Sequence, residues 1–404
     1  MIQREHYLKK LRKLRDQNVI KVITGIRRSG KSTLFRQFQA ELLASGVAPR
    51  NIISLNLEEL ENASLLEPNL LNDYIMRLIN PGENYYVFLD EIQNVPNFEK
   101  LVDSLFVKDF IDVYITGSNA YMLSGDLATV LSGRYIEISI LPFFFADFAQ
   151  SYTDTPKAEI FADYFEYGGF PEVANFIHSG AKSEVPDYLD GIYKTVLEKD
   201  VRRRREIRSD FDFTNVLKFT MDNIGSQLSS NNIANTLTAG GNAVNRLTVE
   251  SYLTALTDSF VLYEANRYDI KGKKLLQTLG KYYSVDIGLS RNILDKNLKA
   301  DRGRLLENVV YLELLRRNKT IQVGKNDSKE VDFVATSHNG TVSYYQVSET
   351  MLGADTRERE LSALQNIRDH NQKVVLTLDL GNESYDGIRQ QYLPDWLLQD
   401  TEYV

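Results

Sequence analysis

The residues best suited to chemistry lie at Gly25–Thr33, which reads Gly-Ile-Arg-Arg-Ser-Gly-Lys-Ser-Thr. The spacing Gly-x-x-x-x-Gly-Lys-Ser serves polyphosphate binding. Gly25 and Gly30 let the backbone bend and come close to a phosphate chain. The amides of Ile26, Arg27, Arg28 and Ser29 then point into one concavity, at the positive end of the helix that follows. Lys31 adds a point charge for the β- and γ-phosphates, Ser32 offers its hydroxyl to Mg²⁺, and Thr33 completes the set. Such a loop grips phosphates and not bases, so it does not tell ATP from GTP.

A second set follows at Tyr85–Gln93, Tyr-Tyr-Val-Phe-Leu-Asp-Glu-Ile-Gln, an apolar run ending in two carboxylates. This is the Walker B pattern. Asp90 would hold Mg²⁺, and Glu91 would orient and deprotonate the attacking water. Val113–Asn119 is a third run with polar residues at its end. In an open parallel sheet, ligands sit beyond the carboxyl ends of the strands. Ser118 or Asn119 would then meet the γ-phosphate or its water; the other reading is a plain Gly-Ser-Asn turn. Arg134 is either an arginine that reaches a γ-phosphate in trans or an ordinary salt-bridge partner.

These residues need a scaffold, and the sequence predicts one. Val19–Thr24 and Asn51–Leu57 read as strands flanking a helix over Leu34–Leu43. Leu65–Ile79 reads as a helix, and Gly133–Ile140 as a fifth strand. Arg4–Asp16 reads as a basic, solvated amphipathic helix beside the sheet.

The loop, Val-Phe-Leu-Asp-Glu-Ile-Gln, Ile-Thr-Gly-Ser-Asn, Leu-Ser-Gly-Arg-Tyr and the later Glu-Tyr-Gly-Gly-Phe-Pro-Glu at Glu166–Glu172 resemble a large family of prokaryotic AAA+-superfamily P-loop ATPases. The resemblance covers nearly the whole chain. It implies an α/β fold with a parallel sheet of order 5-1-4-3-2. It implies ATP as the nucleotide, Asn119 as a sensor residue and Arg134 as a candidate arginine finger. It also implies a winged-helix-like middle and a PD-(D/E)XK nuclease-like C-terminal domain. Glu166–Glu172 would close over the nucleotide base, aromatic packing being the alternative.

The expected division is an ATPase core over 1–155, a helical lid over 156–210, a winged-helix-like region over 211–280 and a nuclease-like domain over 281–404. Asp187–Arg208 reads as one helix ending in the densest basic cluster, Lys199, Arg202, Arg203, Arg204, Arg205 and Arg208. That cluster is a solvated helix end, a source of a lid arginine, or a contact for DNA or RNA phosphates. Helices over 211–260 lead to a strand pair whose Lys271, Lys273 and Lys274 could touch phosphate. The third helix offers Arg246 beside Glu250 and Asp258, a poor surface for reading bases, so this helix is at least as well suited to docking on the ATPase core or on a protein partner. The function expected is Mg²⁺-dependent ATP hydrolysis coupled to nucleic-acid association through the C-terminal half; the alternative is a nucleotide-gated switch acting on a protein partner.

In the last part, Glu307 on a helix and Asp332 on a strand match two of the nuclease carboxylates. The third motif reads Gln346-Val347-Ser348, so its acid is an amide and its lysine a serine. We expect nuclease-like folding without nuclease activity; ordinary surface acids are the bland alternative.

Composition sets outer limits. The 404 residues are too many for one core. With no apolar stretch long enough to span a bilayer and no h-region at the start, no membrane partner and no signal peptide are expected. Cysteine is absent, which fits a reducing cytoplasm. A net charge of −8 and pI of about 5.3 confine any nucleic-acid contact to a local patch. An oligomer is compatible with all of this.

Overall fold

A computed structural model describes residues 2–120, 131, 133–202, 207–241, 244–294 and 302–399, with backbone alone at 277–279. The chain divides into two compact units, 1–142 with 258–260, and 143–257 with 261–404.

The first unit is a parallel α/β sheet. Its described elements are α1 (Glu5–Leu14), β1 (Ile20–Thr24), α2 (Lys31–Ala44), β2 (Ile52–Asn56), α3 (Pro68–Leu78), β3 (Tyr85–Asp90), α4 (Phe98–Phe106), β4 (Ile111–Gly117) and β5 (Tyr135–Ser139). The sheet order is β2-β3-β4-β1-β5, all parallel, as the resemblance implied. The central strands β1 and β3 are buried throughout, which is why they read as largely apolar runs, with Lys21 the one charge inside β1. One face packs Val22, Val87, Leu89 and Ile115 against Leu71 and Ile75 of α3 and Leu101 and Leu105 of α4. The other carries an aromatic layer, where Phe35 and Phe38 of α2 meet Phe88 and Tyr114 at centroid distances of 5.0 and 5.5 Å.

Helix α1 is amphipathic, with Tyr7, Leu8 and Leu11 buried. Arg4, just before it, is 3% exposed and not solvated. Its guanidinium donates to Ser29 O at 3.1 Å, Leu141 O at 2.8 Å and Pro142 O at 3.1 Å. It thereby ties the phosphate loop to the chain beyond β5.

The second unit starts with helices α5 (Phe145–Ala149), α6 (Lys157–Tyr167), α7 (Pro171–His178) and α8 (Val185–Val196). The long helix expected to Arg208 gives way to a π-helical turn at Leu197–Arg202. Arg203, Arg204 and Arg205 lie outside the described residues. Next come α9 (Asp210–Asp222), α10 (Ser230–Ala239) and α11 (Arg246–Asp258), then β6 (Leu262–Asp269) and β7 (Lys274–Ser284). After these come α12 (Ile287–Leu294), α13 (Arg302–Arg317), β8 (Thr320–Asn326), β9 (Lys329–Thr336), β10 (Val342–Val347), α14 (Ala354–Gln365), β11 (Gln372–Thr377), β12 (Ser384–Tyr385), β13 (Ile388–Tyr392) and α15 (Leu393–Leu398). The β6–β7 pair is no separate wing. It continues a mixed eight-stranded sheet of order β12-β13-β11-β10-β9-β8-β6-β7, with β6 parallel to β8.

The Gly168–Gly169 pair has a packing reason. Gly168 has φ +82°, and a Cβ there would stand 2.2 Å from an Asp286 carboxylate oxygen. Asp286 accepts from Gly169 N at 2.6 Å and Leu289 N at 2.8 Å, capping the start of α12. Among the described residues no helix is long and apolar enough to cross a membrane.

Candidate functional site

The phosphate loop sits at the carboxyl end of β1 and runs into α2. Gly25 has φ +144°, and a Cβ there would fall 2.1 Å from Ile140 O, so only glycine fits between β1 and the chain after β5. Gly30 takes the left-handed conformation at the N-cap of α2, and Arg28, exposed, also has a positive φ of 66°. Ile26 is fully buried. Lys31 is 4% exposed and donates to Gly25 O at 2.9 Å and Ile26 O at 3.2 Å. The Ser29 hydroxyl is buried without a hydrogen-bond partner. A buried hydroxyl that lacks a partner inside such a loop is a place for an added acceptor, which a phosphate oxygen supplies. Ser32 is exposed and Thr33 half-buried on the first turn of α2.

The end of β3 lies beside this loop. Burial raises the Asp90 pKa, hydrogen bonds from the Ser32 and Thr116 hydroxyls oppose that, and the neighbouring Glu91 charge adds to it. Ser32 and Asp90 are neighbours, two hard oxygen donors of the kind Mg²⁺ takes. Glu91 has φ 55° and ψ 47°, a left-handed turn that swings its carboxylate out of the strand. Its Oε1 lies 3.7 Å from Lys31 Nζ, and its Oε2 lies 4.0 Å from an Arg27 nitrogen. Arg27 is also 3.1 Å from Glu58.

Sequence reasoning missed two partners of these acids. Thr116 on β4 is fully buried; its hydroxyl donates to Asp90 and accepts from Glu91 N at 2.9 Å. Its signal was a lone hydroxyl inside the apolar run Val-Tyr-Ile-Thr. Gln93 donates from its amide to Glu91 and lies 3.3 Å from the Ser118 hydroxyl. Ser118 and Asn119 are both buried, just past the end of β4, which adjoins β1 and β3. The structure thus gathers residues 25–33, Asp90, Glu91, Ser118 and Asn119 at one end of the sheet.

Arg134 is not among them. It precedes β5, and its carbonyl accepts from Ile20 N at 2.8 Å, at the opposite end of the sheet. Its guanidinium pairs with Asp103. Within one chain it does not reach the loop.

The second unit holds another cluster. Glu307 of α13 and Asp332 of β9 do come together, but around a lysine. Lys281 of β7, 3% exposed, is 2.8 Å from Glu307 and 2.7 Å from Glu330. Tyr283 donates to Glu307 at 2.6 Å. Gln346 accepts from Asp332 N at 3.3 Å and donates to Glu360 at 2.8 Å. Ser348 donates to Thr350 O at 3.0 Å. Glu313 turns away to Arg316 and Arg317. Among the described residues no group of three or more histidine, cysteine or acidic side chains is arranged to hold a metal.

Sheet order, loop and paired acids define a P-loop ATPase domain. A family described as an AAA domain matches residues 17–149, and a domain of unknown function (DUF8612) matches 158–300. An uncharacterized protein of Haemophilus influenzae is 37% identical over 405 residues, 99% of each chain. An uncharacterized protein of Methanocaldococcus jannaschii is 29% identical over 395 residues, 91% of this chain and 84% of the other. Among solved structures, a Walker-type ATPase of Pyrococcus abyssi shares the fold, with a TM-score of 0.53 and 17% identity over 72% of this chain and 96% of the other. The chain belongs to the family of the Haemophilus protein, and its first unit makes it an AAA-family P-loop ATPase.

Proposed function

We propose that the protein binds ATP with Mg²⁺ and hydrolyses it. The observation that carries this is the meeting of Lys31 and Glu91 at 3.7 Å, with Asp90 beside Ser32, at one end of a parallel sheet. In this reading Lys31 exchanges its bonds to the Gly25 and Ile26 carbonyls for phosphate oxygens. The Ser29 hydroxyl gains the acceptor it lacks. Ser32 and Asp90 would hold the Mg²⁺, which when bound neutralises charge on the β- and γ-phosphates. Glu91 accepts the proton of the attacking water, and Asn119 senses the γ-phosphate. A finger role for Arg134 belongs to a second copy of the chain.

For the second unit we favour a protein partner over nucleic acid. Three of the basic residues already face acids: Arg202 with Asp210 at 2.6 Å, Arg246 with Glu250 at 2.7 Å and Lys271 with Asp327 at 2.5 Å. Phosphate contacts would have to break these pairs. We read the Glu307–Asp332 cluster as nuclease-like in placement and inactive, since the third motif offers Gln346 and Ser348 in place of its acid and its lysine. Nucleotide turnover would then gate a switch acting on another protein.

Steady-state phosphate release with Mg²⁺-ATP, with and without DNA or RNA at low salt, tests both parts. Turnover that disappears in Glu91→Gln supports the hydrolase. A wild-type protein without turnover sinks it. Stimulation by nucleic acid overturns the protein-partner reading.

A further inference from the structure

Gln93 stands where a general base needs an orienting neighbour. It lies in the short 3-10 turn Ile92–Asn94 that follows Glu91. The turn is pinned by Asn94 N donating to Glu91 O at 3.1 Å and Val95 N to Ile92 O at 2.9 Å. From there the Gln93 amide nitrogen donates to Glu91 Oε2, and it lies 3.3 Å from Ser118 Oγ at the end of β4. Its amide oxygen is buried and has no hydrogen-bond partner.

A buried acceptor left unsatisfied costs free energy unless something donates to it. A water held for attack has two protons. One goes to the base, and the other needs an acceptor. Here Glu91 Oε2 is occupied by Gln93, so Oε1 is the oxygen left to face a water. That oxygen lies 3.7 Å from Lys31, too far for a hydrogen bond to compete.

We infer that Gln93 is the positioning residue for hydrolysis: its amide nitrogen fixes one oxygen of Glu91, and its vacant amide oxygen accepts a hydrogen bond from the second O–H of the attacking water, a proton that stays with the phosphate product. This rests on the hydrolase reading above. In the step it serves, the water oxygen bonds to the γ-phosphorus and its first proton passes to Glu91. The bond to the bridging oxygen breaks, leaving ADP and phosphate. The link to Ser118 ties this arrangement to the strand end that also carries Asn119.

The test compares wild type, Glu91→Gln and Gln93→Met, which keeps the shape and loses both polar ends. Turnover, equilibrium affinity for a fluorescent ATP analogue and melting temperature are measured on each. We expect Gln93→Met to lose about tenfold or more in kcat, with nucleotide affinity and melting temperature unchanged, since the base itself contributes ~10²–10⁴-fold. Wild-type kcat in Gln93→Met overturns this inference alone. A fall in kcat matched by weaker nucleotide binding or a lower melting temperature also overturns it, because Gln93 then only supports the fold. Absent wild-type turnover overturns the hydrolase reading and this one together. Turnover that survives in Glu91→Gln removes the base, and Gln93's role with it.

Discussion

Lys281 carries its ammonium to 2.8 Å from a carboxylate oxygen of Glu307, and both groups are largely withdrawn from water. Burial alone would lower the lysine pKa, but Glu307, Asp332 and Glu330 together raise it, so the lysine stays charged. It sits at the centre of the acids that the sequence suggested as metal ligands.

Removing that charge should be severe. Lys281→Met leaves Glu307, Glu330 and Asp332 facing one another with their cation gone. The loss expected is ~3–5 kcal/mol of stability, the range for breaking one side of a buried pair. Asp332 already has its pKa raised well above the ordinary value, by burial first and then by Glu307. In the variant that rise grows, so the folded state binds more protons than the unfolded state. Its stability therefore falls as pH rises through the carboxylate range. Urea midpoints at acidic and neutral pH check this. Adding Glu307→Gln should restore part of the loss, and no recovery would mean that the pairing is not the cause.

At the phosphate loop, Lys31→Ala should abolish ATP binding, because the loop loses the buried ammonium held over the Gly25 and Ile26 carbonyls, the charge for the β- and γ-phosphates. Glu91→Gln should bind as wild type and lose turnover by ~10²–10⁴-fold. Equilibrium binding and phosphate release on the two variants separate the roles. A Glu91→Gln protein that binds ATP poorly would show that Glu91 shapes the loop through Arg27 and Lys31 and does not act on water.

Much of the first unit was legible because its signals are local. A buried parallel strand is a largely apolar run, and β1, β3 and β4 each announced themselves so despite Lys21 in β1 and Asp112 in β4. The loop demands glycines at fixed spacing, and the paired acids follow a strand. What stayed hidden was what depends on distant partners. Thr116 reads as one strand residue among others until β3 pairs beside it. Arg4 looks like the start of a solvated helix, yet three carbonyls from the phosphate loop and the chain after β5 draw it inside. Lys281 gave one faint signal, a lysine between Gly280 and Tyr282-Tyr283 in an aromatic strand, and no motif spacing connects it to Glu307. The β6–β7 pair looked like a wing because a hairpin does not reveal which sheet it will join.

Asp286 predicts a pH dependence. Its side chain is fully buried and, although three backbone amides donate to it, burial wins and pushes its pKa up to about 6 from 3.8. A carboxyl with a raised folded pKa favours folding while protonated. Its stabilising effect is present below 3.8 and is lost as pH rises from 3.8 to about 6. The span corresponds to ~3 kcal/mol at 1.36 kcal/mol per unit. Asp286→Asn mimics the protonated form and should flatten the stability profile of the second unit across that window. An equal slope in wild type and variant, read from denaturant midpoints between these limits, would contradict it.

Thr116→Val tests the coupling between the strands. The hydroxyl holds Asp90 and accepts from Glu91 N, so valine leaves a buried amide and a buried carboxylate each short of a partner. Unsatisfied groups of that kind cost ~1–3 kcal/mol, which sets the expected fall in stability. The functional effect should be narrower. The bond from Thr116 helps hold the Asp90 pKa down against burial, so without it the carboxylate is less ready to carry its charge. Asp90 faces Ser32, where Mg²⁺ would sit. Half-saturating Mg²⁺ for ATP turnover should therefore rise severalfold, while nucleotide binding measured without Mg²⁺ stays as in wild type. If Mg²⁺ dependence is unchanged and only stability falls, Thr116 serves the sheet and not the site.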